Sequence, residues 1–109
     1  MAWTMIPVVL VAVTTGYAPA AGGVNCDGDC SVTAYGYEPG PHIAACSSAW
    51  APGDVLHVPG YGAVMCGDRF GADVRVNRLD LWFATEAEAM AWGVREVEVI
   101  WLGRLEVRH

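Results

Sequence analysis

The stretch RLDLWFATEAEAMAWGVREVEVIWL, residues 78–102, carries the clearest fold signal in the chain. Polar and apolar residues alternate at its start, which places Leu79 and Leu81 on one face of a predicted strand and Asp80 on the other. A second alternating run, residues 94–102, predicts a long final strand.

A short helix is predicted between these two strands, over residues 86–92. Thr85 precedes it and Glu88 stands three residues further on, which is the spacing of a capping box. Gly93 is placed to end the helix in a left-handed conformation. Acidic residues in a first turn also suit the positive end of the helix dipole. We therefore interpret Glu86 and Glu88 as capping residues and not as catalytic carboxylates.

Upstream of this stretch, short segments of β type alternate with turn signals. The predicted strands cover residues 31–37, 42–46, 55–58 and 63–66. Proline and glycine separate them, as in Pro52-Gly53-Asp54 and in Pro59-Gly60-Tyr61-Gly62. The sequence therefore predicts a mainly β domain with one short α-helix.

Length and charge exclude several classes of protein. The chain has 109 residues, of which 54% are apolar, which fits one small folded domain. Twelve acidic residues stand against six basic ones, all arginine, for a net charge of −6. Because no basic surface is available to neutralise phosphates, nucleic acid is not a predicted partner.

The N-terminal segment is apolar, with no charged side chain before Asp27. Its apolar run, residues 6–13, is shorter than the ~20 residues of a membrane-spanning helix. Ala18-Pro19-Ala20 follows with the small-x-small pattern that signal peptidases accept. We expect residues 1–20 to be a signal peptide, the protein to be exported, and no stable membrane insertion after cleavage. A retained N-terminal anchor is the alternative.

An oxidising compartment favours disulfides for the four cysteines, which allow three pairings. We favour Cys46 with Cys66, on two short apolar segments, and Cys26 with Cys30, in one loop. Zinc is the alternative, but no Cys-x-x-Cys pair occurs and the histidines are scattered. We predict no metal and no cofactor.

These elements, together with several local strings, resemble the three-aspartate (3D) domain family, which includes membrane-bound lytic transglycosylase A and small exported cell-wall proteins. The matching strings are Thr33-Ala34-Tyr35, Ile43-Ala44, Ala51 to Val58, Gly60 to Val64, Asp68, Asn77 to Phe83 and Glu88 to Arg95. The resemblance implies a six-stranded double-psi β-barrel over residues 31–102. A linker, 21–30, would precede the barrel and a tail, 103–109, would follow it.

The resemblance also implies a function, cleavage of peptidoglycan glycan strands by a lytic transglycosylase. Asp80 matches the aspartate taken to act as general acid and base in the resembled enzyme, and Asp68 matches a second aspartate of the set. The place of the first aspartate is held by Cys46 and Ser47. This departure leaves a second hypothesis open, a non-catalytic wall-binding or structural module on the same barrel.

A lytic transglycosylase needs only one carboxyl, because the 6-hydroxyl of the sugar attacks in place of an activated water. We expect Asp80 and Asp68 to be catalytic. Thr33, Tyr35 and Tyr61 are expected to bind the substrate, the aromatic rings by stacking on sugar faces. Peptidoglycan glycan strands are the expected partner of a monomer.

Each of these assignments has a structural alternative. Asp80 would pair with Arg78 or Arg95 on the strand surface, and Asp68 would cap a turn. Trp92 and Trp101 we assign to packing.

Overall fold

A computed structural model describes residues 8–18, 40–69 and 77–106. Within these ranges the chain forms a closed barrel of six strands and one helix. The elements are β1 (Val8–Tyr17), β2 (Ile43–Cys46), β3 (Asp54–Val58), β4 (Gly62–Arg69), β5 (Arg78–Trp82), α1 (Glu86–Trp92) and β6 (Arg95–Arg104). The prediction of a mainly β domain with one short helix is confirmed. No helix in the described ranges is long and apolar enough to cross a membrane.

The strands follow one another around the barrel in the order β1, β5, β2, β4, β3, β6. Two neighbouring pairs are parallel, β1 with β5 and β2 with β4, and the other four are antiparallel. The barrel thus consists of two halves with the same internal pairing. In one half, β4 lies between β2 and β3, parallel to β2 and antiparallel to β3. In the other half, β1 lies between β5 and β6, parallel to β5 and antiparallel to β6.

Strand β1 lies in the segment that the sequence suggested to be a signal peptide. It pairs along its length with β5 and β6, and Ala12 and Thr14 are buried. The Thr14 hydroxyl accepts a hydrogen bond from Trp92 Nε1 at 3.0 Å and donates one to the Arg95 carbonyl at 2.9 Å. The barrel therefore begins at Val8, upstream of the bounds expected from the sequence. The strand and linker predicted between residues 21 and 37 lie outside the described residues.

The core follows the alternation of the strands. Leu79 and Leu81 are fully buried, whereas Asp80 between them is partly exposed, as the pattern of β5 predicted. The largest other fully buried side chains are Leu56, Val58, Val64 and Val99. Helix α1 contributes Trp92 to this core.

The termini of α1 have the predicted caps. Glu88 N donates to Thr85 Oγ1 at 3.1 Å, and the same hydroxyl lies 3.2 Å from a carboxylate oxygen of Glu88. Gly93 ends the helix with φ 66°, and its N–H donates to the Ala89 carbonyl. The positive φ favours glycine at this position.

A disulfide joins Cys46 of β2 to Cys66 of β4, with a sequence separation of 20 and both residues buried. This predicted pairing is confirmed. The other predicted pair, Cys26 with Cys30, lies outside the described residues.

We expect the disulfide to stabilise the barrel by about 3 kcal/mol, because a bridge that closes a loop of this length restricts the unfolded chain. Urea unfolding of the C46A/C66A variant should give a correspondingly lower free energy of unfolding than the oxidised wild type. Reduced wild-type protein is the control, since it keeps both sulfur atoms. Equal unfolding midpoints for oxidised and reduced protein would contradict the expectation.

Asp54 links β3 to the end of β6 by hydrogen bonds. Its buried carboxylate accepts hydrogen bonds from Arg104 Nε at 2.7 Å, Trp101 Nε1 at 3.1 Å and the Ala51 amide at 2.8 Å. Burial alone raises the pKa of Asp54, but the hydrogen bonds from Arg104, Trp101 and Ala51 outweigh it, and the pKa lies below its ordinary value of 3.8.

A carboxyl whose pKa is lowered by folding stabilises the folded state above its ordinary pKa, and the contribution is lost as the pH falls through the lowered value. We expect Asp54→Asn to lower the free energy of unfolding at pH 7 by about 1–3 kcal/mol, the scale for leaving a buried hydrogen-bonding group without its partner. The difference from wild type should shrink below about pH 4. Chemical unfolding of both proteins between pH 7 and pH 3 measures this. A difference that stays constant with pH would contradict it.

Candidate functional site

Four residues from four neighbouring strands form a row on the barrel. Thr15 of β1 pairs with Asp80 of β5, Asp80 pairs with Ala45 of β2, and Ala45 pairs with Asp68 of β4. Residues directly opposite one another on paired strands share one face of the sheet. The row therefore brings together two carboxylates that are distant in sequence, with one small side chain between them.

A β-bulge places Asp68 in this row. Ala44 pairs with Cys66 and Ala45 with Asp68, so that Gly67 is the extra residue on β4. Strict alternation after Cys66, which is buried, would instead direct Asp68 towards the core. Glycine fits the bulge, because a Cβ atom there would lie 2.8 Å from Cγ2 of Ile43.

The Asp80 carboxylate is held by two neighbours on one of its oxygens. The Thr15 hydroxyl donates to Oδ1, and Nη2 of Arg78 lies 3.4 Å from the same atom. The side chain is 26% exposed, so solvent or a ligand can reach it. The ion pair with Arg78 that we expected as the structural alternative is present. Arg95 instead stacks over the Trp92 ring, 4.1 Å from its centroid.

Asp68 stands at the end of β4 and is partly buried. Its Oδ1 accepts a hydrogen bond from the Arg69 amide at 2.9 Å. This contact is of the local kind that we considered for Asp68 as a capping residue. The bulge also places Asp68 in the row with Asp80.

Tyr17 is close enough to both carboxylates for their negative charge to affect its pKa. It follows Thr15 by two residues on β1 and pairs with Trp82. Burial raises its pKa to about 12, with further contributions from the negative charges of Asp68 and Asp80 and from Tyr61. The phenol therefore stays protonated near neutral pH and can donate a hydrogen bond. We call Thr15, Tyr17, Asp68 and Asp80 the carboxylate face.

Thr15 and Tyr17 were not among the site residues predicted from the sequence. A Thr-x-Tyr spacing occurs twice, at Thr15-Gly16-Tyr17 and at Thr33-Ala34-Tyr35, and we assigned the second to the site. Thr33 and Tyr35 lie outside the described residues. The first occurrence was overlooked because it follows the apolar run that suggested a signal peptide.

Tyr61, the other predicted substrate-binding residue, lies near the carboxylate face and is partly buried. Its hydroxyl donates to the carbonyl of Trp82, and burial raises its pKa. Its ring packs edge-on against Phe83, with centroids 5.4 Å apart, and against Trp92 at 6.0 Å. The Tyr61 ring is therefore fixed in place, and its hydroxyl is used within the protein.

A pocket of about 310 Å³ opens beside Tyr61. The aromatic side chains in its lining are Tyr61, Trp82 and Phe83, and the polar ones include His42 and Glu88. Trp82 belongs both to this pocket and to the strand that carries Asp80. The pocket and the carboxylate face are therefore adjacent.

Within the described residues, no group of three or more His, Cys, Asp or Glu side chains is arranged to hold a metal ion. A comparison of the chain with protein-family models gives no match, and neither does a search of curated proteins. The function is therefore argued from the barrel and its carboxylate face.

Proposed function

We propose that the protein cleaves the glycan strands of peptidoglycan in the manner of a lytic transglycosylase. The observation that carries the proposal is that Asp68 and Asp80 lie on one face of a six-stranded barrel, on either side of Ala45. Both aspartates also match aspartates of the 3D-domain family that the sequence resembles.

We also propose that the barrel is of the double-psi type. The repeated pairing of its two halves, each with one parallel pair, supports this topology. In this view Thr15-Gly16-Tyr17 on β1 takes the place that the sequence analysis gave to Thr33-Ala34-Tyr35. In that assignment the threonine lies opposite Asp80, and the tyrosine lies opposite Trp82, two residues further along β5.

The proposed reaction uses Asp80 twice. The protonated carboxyl gives its proton to the glycosidic oxygen as the bond from that oxygen to C1 of the sugar breaks. The 6-hydroxyl of the same sugar forms a new bond to C1, and its proton passes to the Asp80 carboxylate. The products are a 1,6-anhydro sugar end and a free hydroxyl on the leaving strand, and Asp80 is again protonated.

The neighbours of Asp80 have supporting roles in this proposal. Because Thr15 and Arg78 both contact Oδ1, the second oxygen, Oδ2, is the one that we assign to proton transfer. Tyr17 is a phenol that stays protonated, and we assign it a hydrogen bond to a substrate oxygen. Asp68 adds negative charge that favours the positively charged transition state of glycosidic cleavage.

A second candidate function is a wall-binding module without activity. The specific observation in its favour is the disulfide of Cys46, the residue at the position of the first family aspartate. A disulfide sulfur cannot transfer a proton, so this position contributes no acid or base.

For either function we propose an exported protein that acts as a monomer in the cell envelope or outside the cell. The disulfide between Cys46 and Cys66 supports an oxidising compartment.

Incubation of the purified protein with peptidoglycan sacculi separates the two functions. The enzyme should release soluble fragments. A binding module should co-sediment with the sacculi and release nothing, which would overturn the proposed cleavage.

A further inference from the structure

We infer that the disulfide between Cys46 and Cys66 positions Asp68, because it holds the bulge in β4 that keeps this aspartate in the row with Asp80. The carboxylate face is then complete in the oxidised protein and incomplete in the reduced protein. The inference rests on the proposed function for its effect on cleavage, but the position of Asp68 can be measured without cleavage.

The disulfide spans the bulge. Cys66 precedes the extra residue, Gly67, and pairs with Ala44, whereas Cys46 lies beyond the bulge, opposite Arg69. The bridge therefore joins a residue on one side of the irregularity to a residue on the other, with Cα atoms 5.6 Å apart. Both cysteines are buried, so the surrounding core restricts the bridge as well.

The backbone contacts beyond the bulge are few. In the described part of the chain two residue pairs follow it, the first of which is Ala45 with Asp68, and both strands then end. A bulge disrupts the ladder locally, and the ends of strands open more easily than their centres. The Cys66 carbonyl also accepts from Gly53 N, in the turn before β3, at 2.9 Å. A covalent link two residues before Asp68 therefore restrains a segment that the ladder holds weakly.

The other end of the bridge is fixed to the strand of Asp80. Cys46 pairs with the residue that precedes Asp80 in β5. The next residue, Ser47, is buried; its N–H donates to the Arg78 carbonyl at 2.9 Å, and its Oγ accepts from Arg78 N at 3.0 Å. Asp80 is held by β5 and Asp68 by the bridge, so both aspartates are fixed relative to the end of β2.

Without the bridge, we expect the end of β4 to separate from β2. Gly67 has no side chain to restrict its backbone, so the bulge can change conformation at little cost. Asp68 would then leave the row, and the face would lose the negative charge that we assigned to the transition state. Ile43 and Met65 form a pair before the bulge, and we expect this pair to stay in register.

The position of Asp68 is tested by NMR on full-length C46A/C66A protein. Cross-strand NOEs between Ala45 and Asp68 should disappear, whereas those between Ile43 and Met65 should remain. The matched control is C26A/C30A, which removes the other two cysteines and leaves this bridge in place. Both sets of NOEs should remain in the control.

Fragment release from sacculi separates positioning from a general loss of stability. C46A/C66A and Asp68→Asn should reduce release by the same factor, and the three changes together should reduce it by no more than that factor. The effects are not additive because both act through one carboxylate. A bridge with a merely structural role would add its own loss to that of Asp68→Asn.

Reduced wild-type protein is the second measurement, since it keeps both sulfur atoms. A dithiol such as dithiothreitol breaks the S–S bond: each cysteine sulfur gains one hydrogen atom, and the dithiol closes into its own disulfide. Protein refolded and kept under this reductant should lose the same NOEs as C46A/C66A. If neither form folds, the bridge is a requirement of the fold and the inference is overturned.

NOEs between Ala45 and Asp68 that persist without the bridge, or that disappear together with those of Ile43 and Met65, would also overturn the inference. Its failure is distinguishable from that of the proposed function. If the NOEs change as expected but wild-type protein releases nothing from sacculi, the positioning role stands and cleavage falls. If wild-type protein cleaves sacculi but the NOEs persist without the bridge, cleavage stands and the positioning role falls.

Discussion

A chain that begins at Ala21 is expected to lose the cooperative unfolding transition of the full-length protein. Such a chain lacks β1, which pairs with both β5 and β6 and closes the barrel. Its absence would expose the edges of two strands and remove the hydroxyl that accepts from Trp92 Nε1. Because a domain typically has only about 5–15 kcal/mol of net stability, we expect the loss of one of six strands to unfold it.

Thermal unfolding followed by circular dichroism measures this effect. A chain that begins at Pro7 keeps the whole of β1 and serves as the matched control; it should unfold cooperatively. A cooperative transition in the chain beginning at Ala21 would show that the barrel closes without β1. It would also be consistent with the expected signal cleavage after Ala20.

Local periodicity was sufficient to predict the strand β5 and the helix α1 in the second half of the chain. The alternation around Leu79 and Leu81 predicted which side of β5 is buried, and the capping box at Thr85 predicted the start of α1. These features depend on residues within a few positions of one another. They are therefore visible in a sequence without knowledge of the partner strands.

Strand β1 shows where such reasoning fails. An apolar run such as residues 6–13 suits the apolar core of a signal peptide as well as a barrel strand, because both need little more than apolar side chains. The difference lies in distant partners: Val99 opposite Leu10, and Trp92 beside Thr14. Because residues 1–20 were expected to form a signal peptide, Tyr17 was not considered as a site residue.

The candidate site was predicted in part, for a similar reason. Asp80 was placed on the outer face of its strand by alternation alone. The position of Asp68 depends on a bulge opposite Ala44 and Ala45. No local pattern in β4 predicts this bulge. The two aspartates lie near each other because only β2 separates β5 from β4. Their proximity therefore depends on the order of strands in the barrel.

Asp80→Asn is expected to reduce the release of fragments from peptidoglycan by at least about 10²-fold, the contribution of a general acid. Asparagine keeps the size of the side chain and can still accept a hydrogen bond from Thr15, but it has no proton to give at neutral pH. Because Asp80 is on the outer face of β5, the free energy of unfolding should change little.

Asp68→Asn is the matched control for this prediction, since it makes the same chemical change on the same face. It should reduce activity less, because Asp68 supports the charge of the transition state and transfers no proton. Thermal unfolding of both variants checks that the barrel is intact. An Asp80→Asn protein that is folded and fully active would contradict the role of Asp80.

The most direct test of the central claim is the chemical nature of the sugar ends released from peptidoglycan, determined by mass spectrometry. Wild-type protein is expected to release fragments with 1,6-anhydro ends, and Asp80→Asn protein is expected to release almost none. Reducing ends from the wild type would mean that water attacks and that a second carboxyl acts as a base, which contradicts the single-aspartate mechanism. No fragments at all from a folded wild-type protein would contradict cleavage itself.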